Sequence, residues 1–233
     1  MAIPTNLVIA AVSYNGTNIE LKTGSSGYSA DEIATRGITG SISLSDSVTS
    51  IGERAFENCT GITGLTADKV VTIGANAFAS CHFNSTKLYL PECTSLGASF
   101  LYNTTNAAII TNLILPKVTA IKSDAFRGCK ITNIDLGPDC ASIEVRGIGY
   151  NGTGQTNQVV VLRRTSDVVS LASANGMAAV GASTIIYVPS SLIASYQSAS
   201  NWSTKYASNP NLFQALEGSP YENAYVDGTI IAA

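Results

Sequence analysis

Three stretches of the chain, TSIGERAFENC (49–59), VTIGANAFASC (71–81) and TAIKSDAFRGC (119–129), place an apolar residue, an Ala-Phe pair and a cysteine at the same offsets. The apolar anchors that open this unit are Ile51, Ile73, Leu96, Ile121 and Ile143, separated by 22, 23, 25 and 22 residues. A unit that short cannot bury both of its own faces, so its copies must stack and share one continuous core. The repeat therefore predicts a solenoid.

Within a copy, Ile51, Ala55, Cys59 and Ile62 fall at i, i+4, i+8 and i+11, the spacing of one helical face. Ser50 and Glu53 have the S-x-x-E spacing of a capping box, so the segment reads as a short helical or turn element. Between these segments lie SISLSDSV, KLYLPECT, LILPKVT and IDLGPDC, where apolar residues alternate before a Pro, Gly or acidic turn. Leu88 and Leu90, Leu113 and Leu115, and Ile134 and Leu136 are expected to point inward from strands of a parallel sheet. Phe56, Phe78 and Phe126 are expected to form a buried column.

The copy TSLGASFLYNT replaces Ala-Phe by Phe100-Leu101, and ASIEVRGIGYNGTGQTN runs into a Gly/Asn-rich loop, as terminal copies of a solenoid do. QVVVLR and STIIYVP read as two more strands. SSLIASYQSASNW places Leu192, Tyr196 and Ala199 on one helical face, which is expected to cover the open end of the stack. The organisation predicted is a capping or attachment segment at 1–37, the solenoid at 38–165, and a capping or assembly segment at 166–233, with the end segments expected to pack on the solenoid or against another copy in a homo-oligomer.

VTSIGERAFENCTGITGL closely resembles the BspA-like leucine-rich repeats, and the likeness covers residues 38 to 145. IYVPSSLIASYQSASNW resembles the segment that commonly follows such repeats. The resemblance implies a β-rich, leucine-rich-repeat-like, right-handed solenoid with a parallel sheet and short helical turns, used for attachment or recognition without catalysis. VSYNGTNI and ADEIATRGITGSISL, leading into VTSIGERAF, resemble tail or accessory virion proteins of bacteriophages that infect gut bacteria. That second resemblance implies a non-enzymatic virion protein, in a tail or head appendage assembled in the bacterial cytoplasm, with other virion proteins or copies of itself as partners. The alternative reading is a bacterial cell-surface adhesin, and a third is a glycan-processing enzyme.

The remaining chemistry points to no catalytic, cofactor or metal site. Charged residues make up 12% of the chain and the net charge is −3, which supplies no basic stripe for nucleic acid. The apolar run in MAIPTNLVIAAVSYNG has no preceding Lys or Arg and stops at Asn15-Gly16, which reads as neither a signal peptide nor a membrane span. His82 beside Cys81 lacks further ligands at a zinc-like spacing. The five cysteines occupy positions filled elsewhere by small apolar residues, or recur at one repeat position, so they read as buried free thiols. The binding surface is expected on the outer face of the sheet: Tyr89, Ile114 and Asp135 in one exposed row, flanked by Lys87, Asn112 and Asn133, facing a host glycan or a protein partner.

Overall fold

The computed structural model describes residues 12–14, 17–19, 40–44, 46, 48–102, 108–148, 159–177 and 183–229. The chain winds as a parallel β-solenoid. The long strands are β3 (Gly40–Ser43), β5 (Ile62–Thr66), β7 (Asn84–Tyr89), β9 (Ile109–Leu115), β11 (Lys130–Leu136), β13 (Val159–Leu162), β15 (Ile185–Val188) and β16 (Phe213–Ala215). The last six form one parallel sheet in the order β16-β15-β13-β11-β9-β7. The sheet thus runs on through two strands of the segment beyond residue 165. At the other end β3 pairs with β5 in parallel and with β1 (Val12–Tyr14) antiparallel, and β2 (Thr17–Ile19) flanks β1.

A second ladder consists of two-residue strands at the anchors. β4 (Ser50–Ile51), β6 (Thr72–Ile73) and β8 (Ser95–Leu96) stack in register, as do β10 (Ala120–Ile121), β12 (Ser142–Ile143) and β14 (Ser170–Leu171). Thr119 N donates to Thr94 O at 3.1 Å across the break between the two groups.

The segment carrying Ala-Phe is a turn and not a helix, which corrects the capping-box reading of Ser50 and Glu53. A helix would keep its amides for its own carbonyls four residues back. Here they go to the next coil: Arg54 N to Ala75 O at 3.0 Å, Phe56 N to Ala77 O at 2.7 Å and Asn58 N to Ala79 O at 2.8 Å. The third residue after each anchor adopts a left-handed conformation, at Arg54, Asn76, Ser99, Asp124 and Arg146, with φ between 54° and 57°. Left-handed backbone in non-glycine residues costs roughly 1–2 kcal/mol each and forbids helical continuation. The coil-to-coil bonds offset that cost in every turn. Gly74 and Gly97 permit the approach, because a Cβ at either would strike the backbone of the preceding coil at Glu53 or Ala75.

Core rows follow from the register. Leu88, Leu113, Ile134, Val160, Ile186 and Phe213 are paired neighbours across the long sheet, and all are buried. From the turn side, Phe56 stacks on Phe78 at 4.8 Å, while Phe78 meets Phe100 and Phe100 meets Phe126 edge-on, each at 5.5 Å. Phe100 stands where other copies have Ala, yet its ring continues the column, and Leu101 fills the Phe position. All five cysteines are buried in this core as thiols, none of them in a disulfide.

The helices α1 (Ile193–Ser198) and α2 (Trp202–Ser208) close the turn side. They do so with side chains that take over the bonds a further coil would have made. Tyr196 Oη accepts from Val169 N at 2.9 Å, Trp202 Nε1 donates to Val169 O at 2.7 Å, and Asn201 Nδ2 donates to Leu171 O at 2.7 Å. The edge at β14 is therefore satisfied and blocked to further pairing. Tyr196 is buried, and Leu192 packs partly buried against the core.

Truncating Phe78, which touches three rings, to Ala should destabilise the fold by about 3–5 kcal/mol. Phe56→Ala and Phe126→Ala should lie toward the lower end, each losing one ring contact. Denaturant unfolding of the three variants checks that order.

Candidate functional site

Alternation places Tyr89, Ile114, Asp135, Val161, Tyr187 and Gln214 in one row on the outer face of the long sheet, each paired with the next by register. The expectation that this row is exposed is corrected at its centre: Ile114 and Asp135 are each 1% exposed. The cover is the chain's own C-terminal segment, a strap of residues 221–229 that crosses the sheet.

The strap is held along its length by side chains of the sheet. Tyr221 packs on Tyr187 with ring centroids 5.2 Å apart, and Tyr225 packs on Tyr89 at 5.6 Å. Between them Arg163 forms the central tie. Its Nε and Nη2 donate to the two oxygens of Asp135 at 2.7 and 2.9 Å, and the same guanidinium donates to Glu222 O and Ala224 O. Five donors in a planar fork are what allow one side chain to neutralise a carboxylate and also satisfy two carbonyls. At the far end Lys87 pairs with Asp227 at 3.0 Å. Burial pushes the Asp135 carboxyl up, while Arg163 and the backbone N–H of Val226 pull it back down.

Lys87, Asn112 and Asn133 form the neighbouring row, again in register, and they lie beside the strap. Asn133 Nδ2 donates to Asn112 Oδ1 at 2.9 Å, and Asn112 Nδ2 donates to Thr86 O at 3.1 Å, a ladder of amides running across three strands. Ile109, at the start of β9, is 41% exposed. Of the six residues expected in the site, the structure brings Tyr89, Ile114 and Asp135 under the strap and leaves Asn112 and Asn133 half-buried beside it. Lys87 bridges the two zones. Where the strap passes the ends of the strands it leaves a cleft of about 670 Å³, walled by Tyr89, Pro91 and Pro116 on one side and Leu216, Glu222 and Tyr225 on the other.

Sequence reasoning missed Arg163, Tyr221, Tyr225 and Asp227. A signal for the first was present: IDL sets an acidic residue where other copies have Tyr or Ile in mid-strand, and a carboxylate placed there needs a buried cation.

The thiols are not set up as nucleophiles. Burial pushes the Cys59 and Cys93 thiols up to about 12 and Cys140 to about 11, and raises Cys81 and Cys129 as well. Cys81 Sγ donates to Phe56 O at 3.2 Å, which ties it to the coil stack. No group of three potential ligands that could hold a metal occurs among the described residues, and no helix among them is long and apolar enough to cross a membrane.

The spacing of these coils and their Ala-Phe turns match the family described as BspA type leucine rich repeat region, in six copies over residues 37–148. Residues 37–148 are a BspA-type leucine-rich repeat region. Tyr89, Ile114, Asp135, Lys87, Asn112 and Asn133 all belong to these BspA-type repeats, whereas Arg163 and the strap come from beyond them. Among solved structures, a leucine rich cell surface protein from Faecalibacterium prausnitzii A2-165 is similar at 13% identity, with a TM-score of 0.28. The match covers 66% of this chain and 54% of that one, so it spans about half the length of that protein. No curated protein matches the sequence significantly.

Replacing Arg163 by Met strands a buried carboxylate and should destabilise the protein by about 3–5 kcal/mol at neutral pH. Without its cation the folded-state pKa of Asp135 lies further above its unfolded value. The part of the deficit that comes from the stranded carboxylate is then absent below the unfolded pKa and grows as pH rises, while the lost bonds to Glu222 O and Ala224 O weigh equally at both ends. Urea midpoints at pH 5 and pH 8 should show the larger loss at pH 8, and adding Asp135→Leu should recover most of it.

Proposed function

We propose that this chain is a non-enzymatic recognition scaffold displayed on a bacterial cell surface, where its BspA-type solenoid attaches to a glycan or protein on another cell. The observation that carries the reading is the polar row left open beside the strap. Asn112 and Asn133, with Thr111 exposed next to Asn112, lie in register on adjacent parallel strands that the repeat core holds rigid. Amides and hydroxyls at a fixed strand spacing suit a repetitive polar ligand, because each offers both donors and acceptors. Exposed Ile109 adds an apolar contact at one end of the row.

A virion appendage is the second reading, favoured by five cysteines that form no disulfide and by the resemblance of residues 12–19 and 30–44 to phage proteins. Free thiols are the ordinary state of a protein that assembles in a reducing cytoplasm.

The test is attachment of the fluorescently labelled chain to host cells, compared with the Thr111→Ala/Asn112→Ala/Asn133→Ala variant. The recognition reading expects roughly tenfold weaker attachment, corresponding to about 1.4 kcal/mol, with the thermal unfolding cooperativity preserved. Unchanged attachment by a folded variant would remove this row from the reading. Recovery of the native chain from purified phage particles, and not from surface-labelled bacteria, would favour the virion.

A further inference from the structure

The strap joins β16 through Leu216–Pro220, a short hinge in which Gly218 is left-handed at φ +77° and Pro220 precedes the first anchor. At its start the hinge is held to the end of β15, where Leu216 N donates to Val188 O and Ser190 N to Glu217 Oε2, both at 2.8 Å; beyond Glu217 its contacts are local, with Gly218 N donating to Glu222 Oε2 at 2.9 Å and Ser219 N to Leu216 O at 3.0 Å. The strap also carries its own terminal turn, with Gly228 N donating to Tyr225 O and Tyr225 N to Thr229 O, both at 2.8 Å. It can therefore keep its shape on leaving the sheet. Its hold on the sheet comes from a few separate anchors, and Tyr225, at 4% exposure, is its one buried side chain among the described residues. A segment with few buried contacts opens more readily than the core. A short hinge in front of such a segment is the arrangement that invites exchange between copies.

We propose that the strap-covered half of the outer sheet face is an interface between copies of this chain. The strap of one copy lies on Lys87, Tyr89 and Arg163 of a second, and the second copy's strap returns the contact. Every contact of the exchanged form already exists within one chain, so the occupant's chemistry is known: two tyrosines four residues apart, then a carboxylate two residues on. A reciprocal exchange is two-fold symmetric and closes as a dimer. The inference concerns the covered half of the sheet and stands apart from the reading of the open Asn row.

Two full-length variants test it. Lys87→Glu and Asp227→Lys each set like charges between a strap and its own sheet. In a mixed exchanged dimer both crossing contacts become opposite in sign, one restored to the native pair and the other reversed. The two variants are mixed in equal amounts, warmed to just below unfolding, cooled, and read by native mass spectrometry. The expected result is a mixed dimer roughly tenfold more abundant than either self-dimer, since opposite and like charges differ at two contacts. The Lys87→Glu/Asp227→Lys double variant should behave as the native chain does. A mixture of folded variants with no mixed dimer, or with equal amounts of all dimers, would overturn the proposal. If either variant fails to fold, isotopically light and heavy native chains treated in the same way must give a mixed-mass dimer. A product that stays monomeric at concentrations on the order of 100 μM, well above what a specific dimer needs, overturns the proposal as surely.

Discussion

Everything in this structure depends on backbone hydrogen bonds that leave one coil and end on the next. They run in three ladders: the long sheet, the two-residue strands at the anchors, and the turns that carry the Phe column. The turns show most clearly what stacking imposes. Left-handed residues recur at the same offset in five successive coils, from Arg54 to Arg146, although none of them is glycine. Such a conformation persists only where its surroundings over-determine it. Here the constraint comes from the neighbouring coil, which accepts the amides that a helix would have used internally.

The same constraint explains what could be read from the sequence and what could not. Period, core and Phe column were legible, because burial is periodic in any stacked repeat: Ile51, Ala55, Cys59 and Ile62 are all buried as their spacing suggested. That spacing fits a helical face and a turn alike, since a tight turn between two strands buries nearly the same positions. Periodicity reports which side faces inward and not where the amides go. The first C-terminal helix was legible as well, through the Leu192 and Tyr196 pattern, although it ends at Ser198, before Ala199, and the second helix was not. Their use of Tyr196, Asn201 and Trp202 to finish the hydrogen bonds of Val169 and Leu171 was not, because those contacts join residues about 30 positions apart.

The candidate site divides along similar lines. Strand alternation placed Tyr89, Ile114 and Asp135 on the outer face correctly. It could not foresee that the chain's own C-terminal segment lies over all three and buries Ile114 and Asp135, because the non-repetitive segment follows no period. Asp135 is the residue on which the two parts meet. A carboxylate in the middle of a sheet face is unfavourable unless it is paired. Arg163 supplies the pair and spends its remaining donors on the strap, so a polar residue in the repeat decides where a segment far along the chain will rest. The covered and open halves of the sheet follow from that one tie: tyrosines and the ion pairs beneath the strap, Thr and Asn rows beside it.

The claim that turns are held between coils, and not as helices, is tested most directly by native-state hydrogen exchange resolved to single amides. Arg54, Phe56, Asn58, Phe78, Leu101 and Phe126 donate to neighbouring coils, so their amides should exchange as slowly as those of β9 and β11 and open together with them. Turn amides that exchange orders of magnitude faster than the long sheet, as frayed single-turn helices do, would contradict the account.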